Sequence, residues 1–344
     1  MLNNSIVKTN TARRSISLVG LFFILSFLGL IVSMFVAISF GAKDLTLGTV
    51  WAAVTSYHPE LTTHQIVHEM RLPRVIGAAV VGAAFAVAGA LMQGVTRNPL
   101  ADAGILGINA GATFVVALSF AFLPHLSYTS LMIISFLGAV LSTLLIFLLG
   151  SQATGGLTPL RLTIAGAVVA AFLHSLSSGI AIYYDLSQDL AFWYAGGVSG
   201  VRWSHLAILV PIILIAILCS ILLGRSVSLL SLGDDVADNL GVNTKQIRLL
   251  GMAIAVLLAG VSVSAVGSIG FVGLVIPHIS RKLVGVNYRY IIPMSALLGA
   301  ILLVLADLGA RIVNPPRELA IGVMVALVGV PFFLYLARKE RRDL

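Results

Sequence analysis

Two arginines set three residues apart, Arg71 and Arg74 around Leu72-Pro73, stand at the edge of a chain in which charge is scarce. Proline fixes its own φ and restricts the residue before it, so the segment is expected to hold both guanidinium groups toward water. Guanidinium forks match carboxylates, which suits the docking of an acidic protein surface; lipid phosphate or nearby helix ends are the alternative partners. Asp307 and Arg311 form a second charged pair, one helical turn apart in an apolar run. A carboxylate inside a membrane span is a candidate proton carrier, whereas an arginine four residues on offers it neutralisation instead. Polar atoms gather again where His174, Ser175, Ser177 and Ser178 interrupt one apolar stretch, and Gln93, Asn109 and Thr113 interrupt others. In lipid such groups face a bundle interior or a water-filled cavity, so they either line a path or join helices by hydrogen bonds.

Covalent chemistry finds no foothold in the sequence. The patterns GxxxxGK[ST], HExxH and GxSxG do not occur, so neither a nucleotide-hydrolysing loop nor a common hydrolase centre is encoded. His64 and His68 lie four apart in a polar connection that also holds His58, but no cysteine or dense carboxylate cluster accompanies them; a solvated loop or short surface helix is the expectation. Cys219 stands alone in an apolar run and reads as a small buried hydrophobe.

The elements that must position these residues are membrane helices. Of 344 residues, 59% are hydrophobic and 10% charged, against about 25% charged in a soluble domain. Mean hydropathy is +1.05. Apolar runs predict ten spans, near 17–40, 75–96, 105–123, 127–149, 160–183, 204–224, 246–266, 271–284, 290–313 and 319–337. The eighth is short and holds Pro277. The first is far longer than a signal-peptide core and is expected to be retained. A single transmembrane domain over 1–344 is the expectation, with an outward-facing loop at 41–74 and a polar loop at 226–248. Gln188 to Gly200 is too short to cross and suits an interfacial helix. Asp234, Asp235 and Asp238 lie near a helix start and Gly241 suits its stop, which predicts a short helix in solvent. Gly82, Ala86 and Ala90, and again Gly107 and Gly111, have the spacing that lets helix backbones approach closely.

With ten spans both termini share one side. Placing them inside puts fifteen of the 21 basic residues inside and leaves Lys43, Arg71, Arg74, Arg202, Arg311 and Arg317 outside. The asymmetry favours cytoplasmic termini, and it accounts for a net charge of +8 without nucleic acid.

The order RLPR (71–74), a small-residue span with Gln93 near its end, RNPLA (97–101) and GINAGA (107–112) resembles the FecCD family of ABC-transporter permeases. So do GSIGFVGLVIPHISRKLVG from Gly267 to Gly285, Ala306-Asp307 and Glu318 to Gly322. The resemblance implies an all-α integral membrane protein with the BtuC-like fold of type II ABC importer permeases. Its expected place is the bacterial cell membrane, and its expected cargo a ferric siderophore, with cobalamin or haem as alternatives. It implies a second permease copy or paralogue, two ATPase subunits that hydrolyse ATP, a lipoprotein or periplasmic substrate-binding protein, and no cofactor or metal held by this chain. By the same resemblance Arg71, Arg74 and Arg311 dock glutamates of the binding protein. Gly233, Asp234, Ala237, Leu240 and Gly241 contact the ATPase. Gln93, Asn109, His174, Ser175 and Ser178 are candidates to line the path, and Thr154, Gly155 and Gly156, in a flexible turn, suit a cytoplasmic gate. The rival reading is an ion-coupled carrier that uses Asp307.

Overall fold

A computed structural model of the protein describes residues 2–41, 45–151, 159–315 and 317–340. The elements among them, in chain order, are the helices α1 (Leu2–Ser39), α2 (Leu47–Thr55), α3 (Thr62–Gln65), α4 (Leu72–Thr96), α5 (Ile108–Phe122), α6 (Tyr128–Ser151) and α7 (Pro159–Tyr183). They continue with α8 (Ser187–Ala195), α9 (Trp203–Leu230), α10 (Asp234–Asn239), α11 (Thr244–Val266), α12 (Val272–Val284), α13 (Tyr288–Ile312) and α14 (Ile321–Glu340). Each of the ten expected spans has its helix. Seven are long and apolar enough to cross a bilayer by themselves, while α5 and α14 are shorter apolar helices. The thirteen residues of α12 rise roughly 20 Å, short of a hydrocarbon layer about 30 Å thick.

At the centre is α4. In its most apolar stretch 83% of residues are buried, against 17% for α1 and 28% for both α7 and α9. Its composition explains the position, because α9, α11, α12 and α13 all close on it and only small residues permit that. Gly82 meets the Gly299 carbonyl of α13, and Gly299 in turn meets the Gly82 carbonyl and the Ala86 methyl. About two turns further along α4, Gly89 sits against the Gly273 backbone of α12. Gly111 of α5 and Gly138 of α6 repeat the device in the second cluster, formed by α5, α6 and α7.

Four expectations need correction. The second span does not begin near Val75. Thr62–Thr96 forms one continuous helical segment, in which Ile66–Arg71 is a π-helical turn feeding directly into α4. His64, Glu69 and Arg71 make this stretch read as polar loop, but His64 is buried and its Nδ1 accepts from the His58 backbone N–H at 3.1 Å. The sixth span likewise continues past Gly224 to Leu230. Cys219 is exposed on α9 rather than buried.

Gln93 does not line a path. Pro277 inside α12 has no N–H to give the carbonyl four residues earlier, Gly273, which would stay unsatisfied in an apolar setting. Gln93, 2% exposed, supplies the missing donor: its Nε2 reaches the Gly273 oxygen at 3.1 Å and the Leu274 oxygen at 3.4 Å. Its Oε1 accepts from Arg281 Nη2 at 3.2 Å. The proline-bearing helix is thereby fastened to the central one.

Two outcomes follow. Gly89→Ala should lower the melting temperature in detergent, with overpacking costing about 1–3 kcal/mol, whereas Gly20→Ala, where a methyl meets nothing within 4 Å, should leave it unchanged. Gln93→Leu should destabilise by about 1–3 kcal/mol through the orphaned carbonyl, and adding Pro277→Ala should restore part of the loss by returning an N–H to Gly273. A double variant no more stable than Gln93→Leu alone would contradict the account of Gln93.

Candidate functional site

Buried charge is concentrated at the end of the bundle where α1 stops, α4 starts and α13 stops. The last carbonyls of any helix lack intrahelical donors, and cations are favoured beside them. Arg71 and Arg311 meet both needs of α1. Arg71 Nη1 donates to the Ile38 oxygen at 2.5 Å and the Ser39 oxygen at 2.9 Å. Arg311 donates from Nη2 to the Ala37 oxygen at 2.9 Å and from Nη1 to the Phe40 oxygen at 3.1 Å. Gly41 follows at once, where a methyl group would press on both guanidinium groups. Arg71 is not held toward water as expected: it is 8% exposed, and Arg311 beside it 6%. The π turn sets the Arg71 side chain against α1, and Leu72-Pro73 does not turn it outward.

Asp307, 1% exposed, lies between Arg311 and Arg74. Arg311 Nη2 approaches its Oδ2 at 3.1 Å, one turn along α13. Arg74 grips it from α4 with Nε 3.0 Å and Nη2 2.8 Å from Oδ1. The other edge of the same guanidinium holds Glu318, with Nη1 to Oε1 and Nη2 to Oε2 both at 2.9 Å. Glu318 precedes α14 and its side chain is 43% exposed. The hydrogen bonds from Arg74 hold the Glu318 carboxyl below the usual carboxylate range, with the charges of Arg74 and Arg311 assisting and partial burial opposing. A depressed acid stabilises its contacts above its ordinary pKa and releases them only as pH falls through the lowered value, so this pair stays closed at neutral pH. Sequence reading placed Glu318 in a family signature without a role. Its partner lies 244 residues away, and no local signal connects the two.

At the opposite end of α4, Arg97 caps the helix in the left-handed region with φ 54°. Here Asp234, the first residue of α10, accepts from Arg248 Nη2 at 2.9 Å and lies 3.8 Å from Arg97. Gly233 and Gly241 bracket α10 with φ of +130° and +80°, conformations that side chains resist. Ala237 is fully buried, which corrects its assignment to a contact surface. Leu240 is exposed just after α10, and so are Val236 on it and Leu232 just before it, which sequence reading left out.

The structure does not bring the expected path residues together. Gln93 is inside the bundle, and Asn109 is half-buried at the start of α5. His174 and Ser175 are exposed on α7, where His174 Nδ1 shares a hydrogen bond with the Tyr194 hydroxyl of α8 at 2.9 Å. Ser175 bonds back to the Ala171 oxygen at 2.9 Å, and Ser178 is half-buried. Around them Ile164, Val168, Phe172, Ile182 and Tyr183 are also exposed, making an uncovered and largely apolar face. Thr154, Gly155 and Gly156 lie outside the described residues.

Comparison with known proteins places this geometry. The family model described as the FecCD transport family matches residues 29–339. The chain is 51% identical over 310 residues to the iron(3+)-hydroxamate import system permease protein FhuB of Bacillus subtilis (strain 168), covering 90% of this chain and 81% of the relative. It is 38% identical over 334 residues to the ferric enterobactin transport system permease protein FepD of Escherichia coli (strain K12), covering 96% and 97%. Among solved structures, a metal-chelate type ABC transporter in an inward-facing conformation superposes with a TM-score of 0.81 at 28% identity, over 93% of this chain and 99% of the other. Sequence match, shared helical fold and the multi-span bundle together make this chain a member of the FecCD transport family of membrane permeases.

Proposed function

We propose that the chain is the membrane subunit of an ATP-driven importer for ferric chelates, with siderophores as the leading cargo. The observation that carries the reading is 51% identity, along 90% of the chain, to a permease of iron(3+)-hydroxamate import. Energy comes from a separate ATPase, since the sequence has no phosphate-binding loop. Leu232, Val236 and Leu240 supply its contact: three exposed apolar side chains on and beside a short helix clamped by Asp234 suit a groove. Basic-residue asymmetry supports a cytoplasmic side for α10 and both termini and an outward Arg74 end.

A substrate-binding protein docks outside. Arg71 and Arg311 serve α1, so its acidic contacts fall chiefly on Arg74, which is engaged with the exposed carboxylate of Glu318. A cavity of about 300 Å³ beside it is lined by Arg71, Arg74, Arg202 and Arg311 against Glu69 and Glu318. Among the described residues these four arginines outnumber the carboxylates they face by one even with Asp307 counted, and that positive charge draws an acidic surface. The exposed face of α7 packs against a second permease chain. Lipid accepts its apolar side chains but not His174 and Ser175, which instead border an aqueous path between the two copies. Asp307 is poorly suited to carry protons, because both of its oxygens are held by guanidinium groups.

The tagged chain, purified from its own membrane in mild detergent, should bring an ATPase with a phosphate-binding loop and a second permease chain. Reconstituted with them, it should accumulate a ferric hydroxamate only when ATP is supplied. Val236→Glu and Leu240→Glu should each weaken ATPase recovery about tenfold or more, as expected for loss of a central apolar contact, without lowering the melting temperature. Uptake by the chain alone in ATP-free proteoliposomes would contradict the proposal and favour the Asp307 carrier.

A further inference from the structure

Arg74 presents two edges, and they differ in access. The edge formed by Nε and Nη2 is sealed on Asp307, whose side chain is 1% exposed. The edge formed by Nη1 and Nη2 is closed by Glu318, 43% exposed and bonded through both of its oxygens. One carboxylate is therefore a fixture and the other can exchange with solvent. The exchangeable one also divides two spaces. Arg74, Ser199 and Glu318 belong both to the wall of the 300 Å³ cavity and to that of a larger one, about 630 Å³. The larger space lies under α8, bounded by Trp193, Phe192 and Tyr128, and by Leu319 to Ile321 directly after Glu318.

We propose that Glu318 is an internal stand-in for a carboxylate of the docking protein: an acidic side chain entering the arginine-lined cavity takes its place on the exposed edge of Arg74. The released Glu318 then leaves the wall between the two cavities. Like replaces like on the same fork, so the exchange requires no new geometry of Arg74 and leaves the buried Asp307 pair intact. Glu318 is 43% exposed and regains water when it leaves Arg74, which keeps the exchange reversible. The positive surplus of the cavity lets an incoming acid compete with a tethered one. The inference rests on the docking reading above and adds what docking must displace.

The test is a titration of the assembled transporter in nanodiscs with the substrate-binding protein that co-purifies with the wild type, at low salt. Glu318→Gln removes the competitor's charge and should tighten binding about threefold to fivefold, the scale of an exposed ion pair. Arg74→Gln should weaken binding, and in the Arg74→Gln background Glu318→Gln should no longer tighten it. Should the glutamine variant not fold, Glu318→Asp, which keeps the charge but shortens the reach, should tighten binding by a smaller factor. Binding that Arg74→Gln weakens but that neither Glu318 variant tightens overturns the stand-in and leaves docking in place. Binding indifferent to Arg74→Gln, or a wild-type transporter that retains no binding protein, overturns the docking reading and the inference with it.

Discussion

A carboxylate removed from water costs several kcal/mol unless charge and hydrogen bonds replace its hydration. Asp307 is such a group, and the two guanidinium groups that replace its water come from different helices. Satisfying it therefore fixes the start of α4 against the end of α13. Arg311 passes the constraint on, because the same side chain that faces Asp307 also donates to the carbonyls ending α1. Three helices that lipid would let slide are tied at one end by a network in which each charge answers a specific deficit. Removing one member leaves another buried and unpaired, which is why the network acts as a unit.

The rest of the bundle is arranged around the helix so anchored. Small residues along α4 let α13 and α12 come to backbone contact, and at that distance few side chains remain to fill space, so packing depends on position. Pro277 interrupts α12, and Gln93 repairs the interruption from α4. At the far end Arg97 and Arg248 hold Asp234 and with it α10. A displacement of α4 is consequently felt at both ends, since Arg74 and Arg97 stand on the same helix about 35 Å apart at 1.5 Å per residue. An importer that couples binding on one side to hydrolysis on the other needs such a connection.

Much of this was legible in the letters. Long apolar runs mark the spans, because backbone groups in lipid must bond within their own helix. Glycine spacing marks close contacts, and Gly82 on α4 and Gly111 on α5 each found a glycine opposite, while Gly107 packs on Ile146. The acids at the start of α10 and the glycine after it mark a short helix. The misread polar residues share one cause. Arg71 serves carbonyls 32 and 33 residues away, Gln93 a carbonyl 180 residues away, and Arg74 an acid 233 residues away. A polar residue in a membrane chain announces that it needs a partner, but only the tertiary arrangement says which. The π turn was missed for a related reason: polar side chains between two spans resemble a loop until their buried faces are seen.

The central claim is that Asp307 is held as a structural anion. The most direct measurement is the thermal unfolding midpoint of Asp307→Asn in detergent, alongside the wild type. Asparagine keeps the shape and removes the charge, leaving two buried guanidinium groups without their anion. The account predicts a loss of about 3–5 kcal/mol, seen as a large fall in the midpoint. An unchanged midpoint would contradict it.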